Sequence, residues 1–197
     1  MITPYFFGYG SLVNRATHEF RDARSARISG WRRAWRHVDG RKVAFLTAVP
    51  DATSEIAGLI AAVPGADWEH LDKREHSYDR VPAFSVQHDV VPAPDIHIYH
   101  APPERHVAAS TLRPVLLSYI DVVVQGYLAE FGENGVAEFF STTDGWNAPI
   151  LNDRQDPVYP RHQSLTAFET GLVEHHLGAL RTNRIEQSSQ IDAVFLP

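Results

Sequence analysis

The stretch PYFFGYGSLVN, residues 4–14, decides the fold and raises the question of function. Its first half is short, apolar and aromatic, and it ends at a glycine, which is typical of a buried β-strand. Gly8 and Gly10 directly after such a strand indicate backbone held close to a neighbour. That neighbour could be a phosphate, a substrate or only the rest of a tight turn.

Spacing excludes three familiar uses of these glycines. A dinucleotide-binding fingerprint needs G-x-G-x-x-G, but Val13 stands where the third glycine belongs. A P-loop needs a lysine before its Ser or Thr, and this stretch contains none. A nucleophile elbow needs glycines two residues on either side of its serine, but Tyr9 and Val13 hold those positions around Ser11. Ser11 is therefore not expected to be a nucleophile of that kind.

Composition narrows the class of protein. The 197 residues are 44% hydrophobic and include no cysteine, which predicts one domain over residues 1–197 and excludes disulfides, thiolate metal sites and a cysteine nucleophile. The formal charge of −6 argues against a nucleic-acid partner. No apolar run approaches a membrane span, and no signal peptide is recognisable, so we expect a cytoplasmic protein without a membrane partner. The sequence predicts no oligomeric state.

Histidines offer no convincing metal site. His97 and His100 are three residues apart on a predicted strand, where such side chains face opposite sides. His175 and His176 are adjacent on a predicted helix and diverge by about 100°. We therefore expect no bound metal.

The remaining chain has strands first and helices later. Strands are predicted at residues 25–38 with a bend at Gly30, at 42–50 and 55–64 with a proline ending each, and at 78–91 and 95–101. Helices are predicted at 67–75, 111–131, 135–143 and 164–180, a loop at 147–162 and a closing strand or tail at 191–197. Leu165, Phe168, Leu172 and Leu180 are expected on the buried side of the last helix. This order favours an α+β fold with mixed or antiparallel strands.

Three separated pieces, in this order, resemble the γ-glutamylcyclotransferase family, which includes ChaC-type glutathione-degrading enzymes and AIG2-like proteins. They are FGYGSLVN at residues 7–14, GWRRAW at 30–35 and LDKREHSYDRV at 71–81. The resemblance implies a small mixed, barrel-like sheet surrounded by helices. It also implies a YGSL-type loop after the first strand, and a glutamate, here Glu75, with Tyr78 close behind it.

The activity that the resemblance implies is cyclisation of a γ-glutamyl group to 5-oxoproline, with release of the attached amine or peptide. Glu75 is the implied general acid and base, and Tyr9, Gly10, Ser11, Leu12 and Tyr78 are the implied substrate-binding residues. Backbone N–H groups of the loop can face an anionic oxygen. No metal or cofactor is required, and the expected partner is a small γ-glutamyl substrate.

Several alternatives stay open. The scaffold could be a catalytically silent module that binds a γ-glutamyl ligand, or a tailoring enzyme that removes a γ-glutamyl protecting group from a larger amine. Residues 13–16 depart from the ChaC-type pattern, so glutathione is not assumed as substrate. Tyr119, Tyr127 and residues 159–162 either line the outer pocket or only pack, and the role of the 144–163 loop is open.

Several of these residues also have an explanation that involves no function. Glu75 lies in the charged stretch DKREH, where a solvated helix face is the usual explanation. Arg33 belongs to a basic cluster with Arg32, Arg36, Arg41 and Lys42, for which a solvated strand and turn surface is expected. Arg33 and Trp35 are predicted to be structural, through strand pairing and core packing.

Overall fold

The computed structural model describes residues 2–108 and 113–187. Its strands are β1 (Tyr5–Gly8), β2 (Arg24–His37), β3 (Ala44–Ala62), β4 (Asp79–Pro82), β5 (Val86–Gln87), β6 (Ile96–His100), β7 (Val115–Leu116), β8 (Thr143–Asp144), β9 (Ile150–Asn152) and β10 (Arg184–Glu186). Its α-helices are α1 (Glu69–Arg74), α2 (Leu117–Ser141) and α3 (Ala167–Ala179). The segment predicted at 191–197 lies outside the described residues.

A mixed sheet organises the fold. Its strand order is β4-β6-β1-β3-β2-β5, and β8 also pairs with β2. Strand β1 lies between β3, which is antiparallel to it, and β6, which is parallel. All four residues of β1 are buried, as the apolar run in the sequence predicts. With the helices and a smaller parallel sheet of β10, β9 and β7, this arrangement confirms the predicted α+β class.

The long hairpin of β2 and β3 corrects one prediction. The sequence predicts separate strands at 42–50 and 55–64, but β3 continues through Pro50. Pro50 pairs with Trp31, directly beside a bulge at Gly30, which has a φ of +85°. Strand β1 pairs with β3 only at residues 59–62, so at Pro50 β3 has no β1 neighbour that would need its missing N–H. A proline is tolerated beside such a bulge, and the predicted bend at Gly30 is confirmed.

Helix α2 begins later than predicted and is interrupted. Residues 115–116 pair in β7, so the helix starts at Leu117 instead of 111. Gly132 has φ +66° and ψ −168°, which breaks the helix and separates the two predicted helical stretches. The periodic apolar positions predicted for this helix are buried: Leu116, Ile120, Val123, Val124 and Tyr127.

The C-terminal part differs more from prediction. Strand β9 lies inside the predicted loop at 147–162, where three residues between proline-containing turns give too short a pattern to recognise. Helix α3 buries Val173 and Leu177, whereas Phe168 and Leu180 are 58% and 40% exposed. Leu172, and Leu165 just before the helix, pack against the core. The predicted buried side is therefore confirmed for these two residues and wrong for Phe168 and Leu180.

Arg33 is fully buried, so its place on a solvated surface was wrong. Its guanidinium donates to the Thr143 hydroxyl at 3.2 Å, the Ala57 carbonyl at 3.0 Å and the Tyr127 hydroxyl at 2.8 Å. It also lies 5.3 Å from the ring centroid of Phe139. These contacts join β2 to α2 and to the residues that follow it, which agrees with the predicted structural role of Arg33.

Candidate active site

Glu75 occupies the turn that ends α1. Its N–H donates to the Leu71 carbonyl at 2.9 Å, and its own carbonyl accepts from the Tyr78 N–H at 2.8 Å. This turn directs the side chain inward, and only 16% of that side chain is exposed. The solvated helix face that the charged stretch DKREH favours is therefore wrong for Glu75.

Burial raises the pKa of the Glu75 carboxyl above its ordinary value, because the charged form loses solvation. The cations of Arg74 and Arg161 partly oppose this rise. The Arg74 Nε lies 3.1 Å from Glu75 Oε1, and the Arg74 side chain is itself only 5% exposed. A buried carboxyl with a raised pKa can hold a proton and release it again, as an acid and base catalyst must.

Arg74 also ties the glutamate segment to the glycine loop. Its guanidinium donates to the Thr17 carbonyl at 2.8 Å and to the Ser11 hydroxyl at 3.2 Å. Residues 75 and 11 are far apart in sequence, so this arginine sets the position of the carboxylate relative to the loop. Sequence reasoning missed this role, because Arg74 reads as one more charge in a charged stretch.

The glycine loop turns immediately after β1. Residues Ser11–Val13 form a 3-10 turn, and the Val13 N–H donates to the Gly10 carbonyl at 2.9 Å. The Tyr9 hydroxyl donates to the Tyr99 carbonyl at 2.6 Å, and this hydrogen bond holds the Tyr9 side chain in one position. Burial raises the pKa of Tyr9, which keeps its phenol neutral.

Gly10 makes room for Tyr119. A Cβ at Gly10 would lie 2.6 Å from the Tyr119 hydroxyl oxygen, closer than any real contact allows. A side chain of α2 therefore takes up the space that the missing Cβ of Gly10 leaves free. The Ser11 N–H donates to the same hydroxyl over 3.4 Å. One face of the loop therefore contacts Tyr119, for which the sequence predicted either pocket lining or helix packing.

The predicted site residues surround two neighbouring cavities. An inner cavity of about 30 Å³ is lined by Tyr9, Gly10, Ser11, Leu12, Glu75, Tyr78 and Tyr119, among others. An outer cleft of about 350 Å³ shares Ser11, Leu46, Glu75, Tyr78 and Tyr119 with it. The structure therefore brings all six sequence-predicted residues to one place, with Glu75 facing both cavities.

Tyr78 forms a fixed part of the wall between these cavities. Its hydroxyl donates to the Leu46 carbonyl at 2.9 Å, and its ring stacks on Phe45 with the centroids 6.0 Å apart. Burial raises its pKa well above the ordinary value, so the phenol stays neutral. Tyr78 therefore shapes the cavity and does not compete with Glu75 for the proton.

Some of the residues that the sequence left open between lining the pocket and packing do line the outer cleft. Tyr119, Tyr159 and Arg161 line the outer cleft, and so does Arg41, which sequence reasoning did not select. Tyr127 does not line it: its hydroxyl lies 3.0 Å from the Tyr9 carbonyl oxygen and 2.8 Å from that of Ala57, behind the loop. The 144–163 loop thus contributes directly to the cleft. The sequence left this position open for residues 159–162, because it depends on tertiary packing that no local pattern reveals.

The described residues contain neither a metal-binding cluster nor a helix that could span a membrane. Within 2–108 and 113–187, no group of three or more His, Cys, Asp or Glu side chains is arranged to hold a metal ion. Of the helices in that same part of the chain, none is both long and apolar enough to cross a membrane.

Comparison with known proteins places these features in context. The family model described as ChaC-like protein matches residues 4–145. A structure titled gamma-glutamyl cyclotransferase superposes with a TM-score of 0.57 at 13% identity, over 88% of this chain and 99% of its own. The uncharacterized protein loc79017 from Homo sapiens superposes with a TM-score of 0.57 at 12% identity, over 88% of this chain and 99% of its own. YkqA from Bacillus subtilis superposes with a TM-score of 0.53 at 20% identity, over 73% of this chain and 56% of its own.

These structural similarities show a shared fold, since all three identities are low. The family match covers the glycine loop, the β2 strand and the Glu75 turn, but it ends before Tyr159 and Arg161. A search of curated proteins gave no match.

Proposed function

The chain belongs to the ChaC-like family of γ-glutamylcyclotransferase-type enzymes, and we propose that Glu75 is the general acid and base with which it forms 5-oxoproline. One observation carries this proposal: Glu75 is buried with a raised pKa, faces the cleft and is tied through Arg74 to the glycine loop. A carboxylate that only supported the fold would have no reason to face both cavities.

The reaction needs two proton transfers at one place. The substrate α-amine is protonated at neutral pH and must first lose a proton to the Glu75 carboxylate. Its nitrogen then bonds to the γ-carbonyl carbon and gives up its second proton to solvent, and the carbonyl oxygen becomes an oxyanion. The bond from that carbon to the leaving nitrogen breaks while Glu75 returns the proton to this nitrogen. Atoms and charges balance without an oxidant, a reductant or added water.

Ring closure is intramolecular, so holding the substrate in a folded conformation supplies much of the acceleration. We assign this task to the walls made by Tyr9, Leu12 and Tyr78. The N–H groups of Gly10, Ser11 and Leu12 are assigned to an anionic oxygen of the substrate, either its α-carboxylate or the oxyanion. The Ser11 N–H donates to the Tyr119 hydroxyl over a long 3.4 Å, so a substrate oxygen would replace this hydroxyl as its acceptor.

The direct experiment incubates the protein with γ-glutamyl dipeptides, γ-glutamyl amines and glutathione, and measures 5-oxoproline and the released amine together. We expect equal amounts of both products from at least one class of substrate. Thermal stabilisation by these compounds without any product would instead establish the silent binding module. Release of amine together with free glutamate would mean hydrolysis and would overturn the cyclisation.

A further inference from the structure

Two guanidinium groups line the outer cleft without a carboxylate partner among the described residues. Arg41 lies 2.6 Å from His76 Nε2, donates to the Ser77 hydroxyl and packs 5.5 Å from the Phe45 ring centroid, with no carboxylate among these contacts. Arg161 makes no ion pair within the described parts of the chain, yet its charge lowers the pKa of Glu75. By contrast, Arg24, Arg27 and Arg32 of β2 each have a carboxylate partner, such as Asp144 for Arg32.

The wall between these arginines and Glu75 is apolar. Phe45, Leu46, Leu116, Val158 and Pro160 line it, and the outer cleft measures about 350 Å³. This volume lies at the small end of ligand sites, which commonly measure about 300–1,000 Å³. A ligand of dipeptide size with an apolar body therefore fits better than a large polar one.

The position of Arg161 identifies which substrate group it meets. Glu75 must protonate the leaving nitrogen, so any cation close to Glu75 is also close to the substituents of that nitrogen. In an amino acid, the α-carboxylate is only two bonds from its nitrogen. Arginine is the side chain best suited to bind such a carboxylate, because its planar fork matches the two oxygens.

We infer, on the basis of the proposed function, that the released half of the substrate is an amino acid with an apolar or aromatic side chain, whose carboxylate is bound by Arg161 and Arg41. The same cations repel a positively charged amine. The cleft therefore disfavours polyamine-like released groups, which a tailoring enzyme for cationic products would require. Arg161 lies outside the family match and Arg41 inside it, so the contribution of Arg161 to this preference comes from the chain's own 144–163 loop.

The test compares two substrates that differ in one charge: γ-glutamyl-phenylalanine and its C-terminal amide. We expect kcat/KM for the acid to exceed that for the amide by roughly 10–100-fold, as for loss of a charge-assisted hydrogen bond. Arg161→Gln and Arg41→Gln should each reduce this ratio, and the double variant should bring it near one. Arg161→Lys should keep part of the preference. Because the ratio is taken within one variant, any change in the pKa of Glu75 cancels.

The matched control is Arg21→Gln, an exposed arginine that does not line the cleft, and it should leave the ratio unchanged. A ratio near one in the parent, or an unchanged ratio in the double variant, overturns the inference while leaving cyclisation intact. If neither substrate yields 5-oxoproline while another member of the γ-glutamyl panel does, the inference is overturned, and if no member of the panel yields it, the proposed function fails. Calorimetric binding of the same pair to Glu75→Gln then still measures the preference: a tighter acid supports it and equal affinities overturn it.

Discussion

The hydroxyl oxygen of Tyr119 lies 3.4 Å from the backbone nitrogen of Ser11, where helix α2 meets the glycine loop. The hydroxyl proton of Tyr119 is donated to no acceptor in the described part of the chain, and the residue lines both cavities. Burial raises its pKa well above the ordinary value, so the phenol keeps that proton. A neutral donor therefore faces the position assigned to the substrate oxygen.

Tyr119→Phe should weaken catalysis without unfolding the protein. A lost hydrogen bond to a developing anion costs about 1.5–3 kcal/mol, so kcat/KM should fall by roughly 10–100-fold. The ring contacts with Trp35 and Tyr159 remain, so the melting temperature should change little. Tyr5→Phe removes a hydroxyl outside both cavities and should keep full activity. Equal rates for Tyr119→Phe and the parent would remove Tyr119 from the site.

Gly10→Ala tests the close approach of loop and helix. The new Cβ would meet the Tyr119 hydroxyl oxygen at 2.6 Å, and such overpacking costs about 1–3 kcal/mol of the free energy of unfolding. Introducing Tyr119→Phe into the Gly10→Ala protein should restore part of the lost stability, because the clashing atom is gone. A denaturant-based double-mutant cycle measures this coupling. Purely additive effects would mean that the new methyl group does not clash with the Tyr119 hydroxyl.

Activity should depend on pH through Glu75. The base must be ionised to accept the amine proton, so kcat/KM should fall as the pH drops through the raised pKa of Glu75. The midpoint of this acidic limb should lie above the ordinary glutamate value of 4.5. Arg161→Gln removes a cation that favours the carboxylate, so its limb should move to higher pH. A midpoint below the ordinary value, or a shift to lower pH in that variant, would contradict the assignment.

Glu75→Gln should stabilise the fold at neutral pH. Folding raises the pKa of Glu75, so the contribution of Glu75 to stability is fully present below the unfolded-state pKa and is lost as the pH rises through the folded-state pKa. Each pKa unit corresponds to about 1.4 kcal/mol. The melting temperature of Glu75→Gln should therefore exceed that of the parent at pH 8, and the difference should shrink toward pH 4. A variant that is less stable at pH 8 would indicate a structural role.

The sequence predicts the centre of this fold better than its periphery. The buried run of β1, the bend at Gly30 and the apolar period of α2 are local signals, and the structure contains all three elements. Pro50 predicts a strand end that the structure does not have. Strand β3 accommodates this proline beside a bulge in its partner strand, which no local pattern reveals. The domain count, the cytoplasmic location and the oligomeric state stay untested.

In the site, too, local motifs are predicted from the sequence and contacts between distant segments are not. The resemblance selects Glu75 and the glycine loop, which share local motifs, and the structure places them around one pair of cavities. It does not select Arg74, Tyr119 or Arg161, whose importance arises from contacts between segments distant in sequence. Arg33 shows the converse, since its charge predicts exposure while its hydroxyl and carbonyl partners hold it in the core.

The most direct test of the account is the rate of 5-oxoproline release by Glu75→Gln, beside Glu69→Gln as control. Glu69 is an exposed glutamate on the same helix, so its amide variant should match the parent. Glutamine keeps the shape of Glu75 but cannot accept the amine proton, so kcat/KM should fall by about 10²–10⁴-fold with γ-glutamyl substrate still bound. If Glu75→Gln instead releases 5-oxoproline as fast as the parent, Glu75 is not the general acid and base.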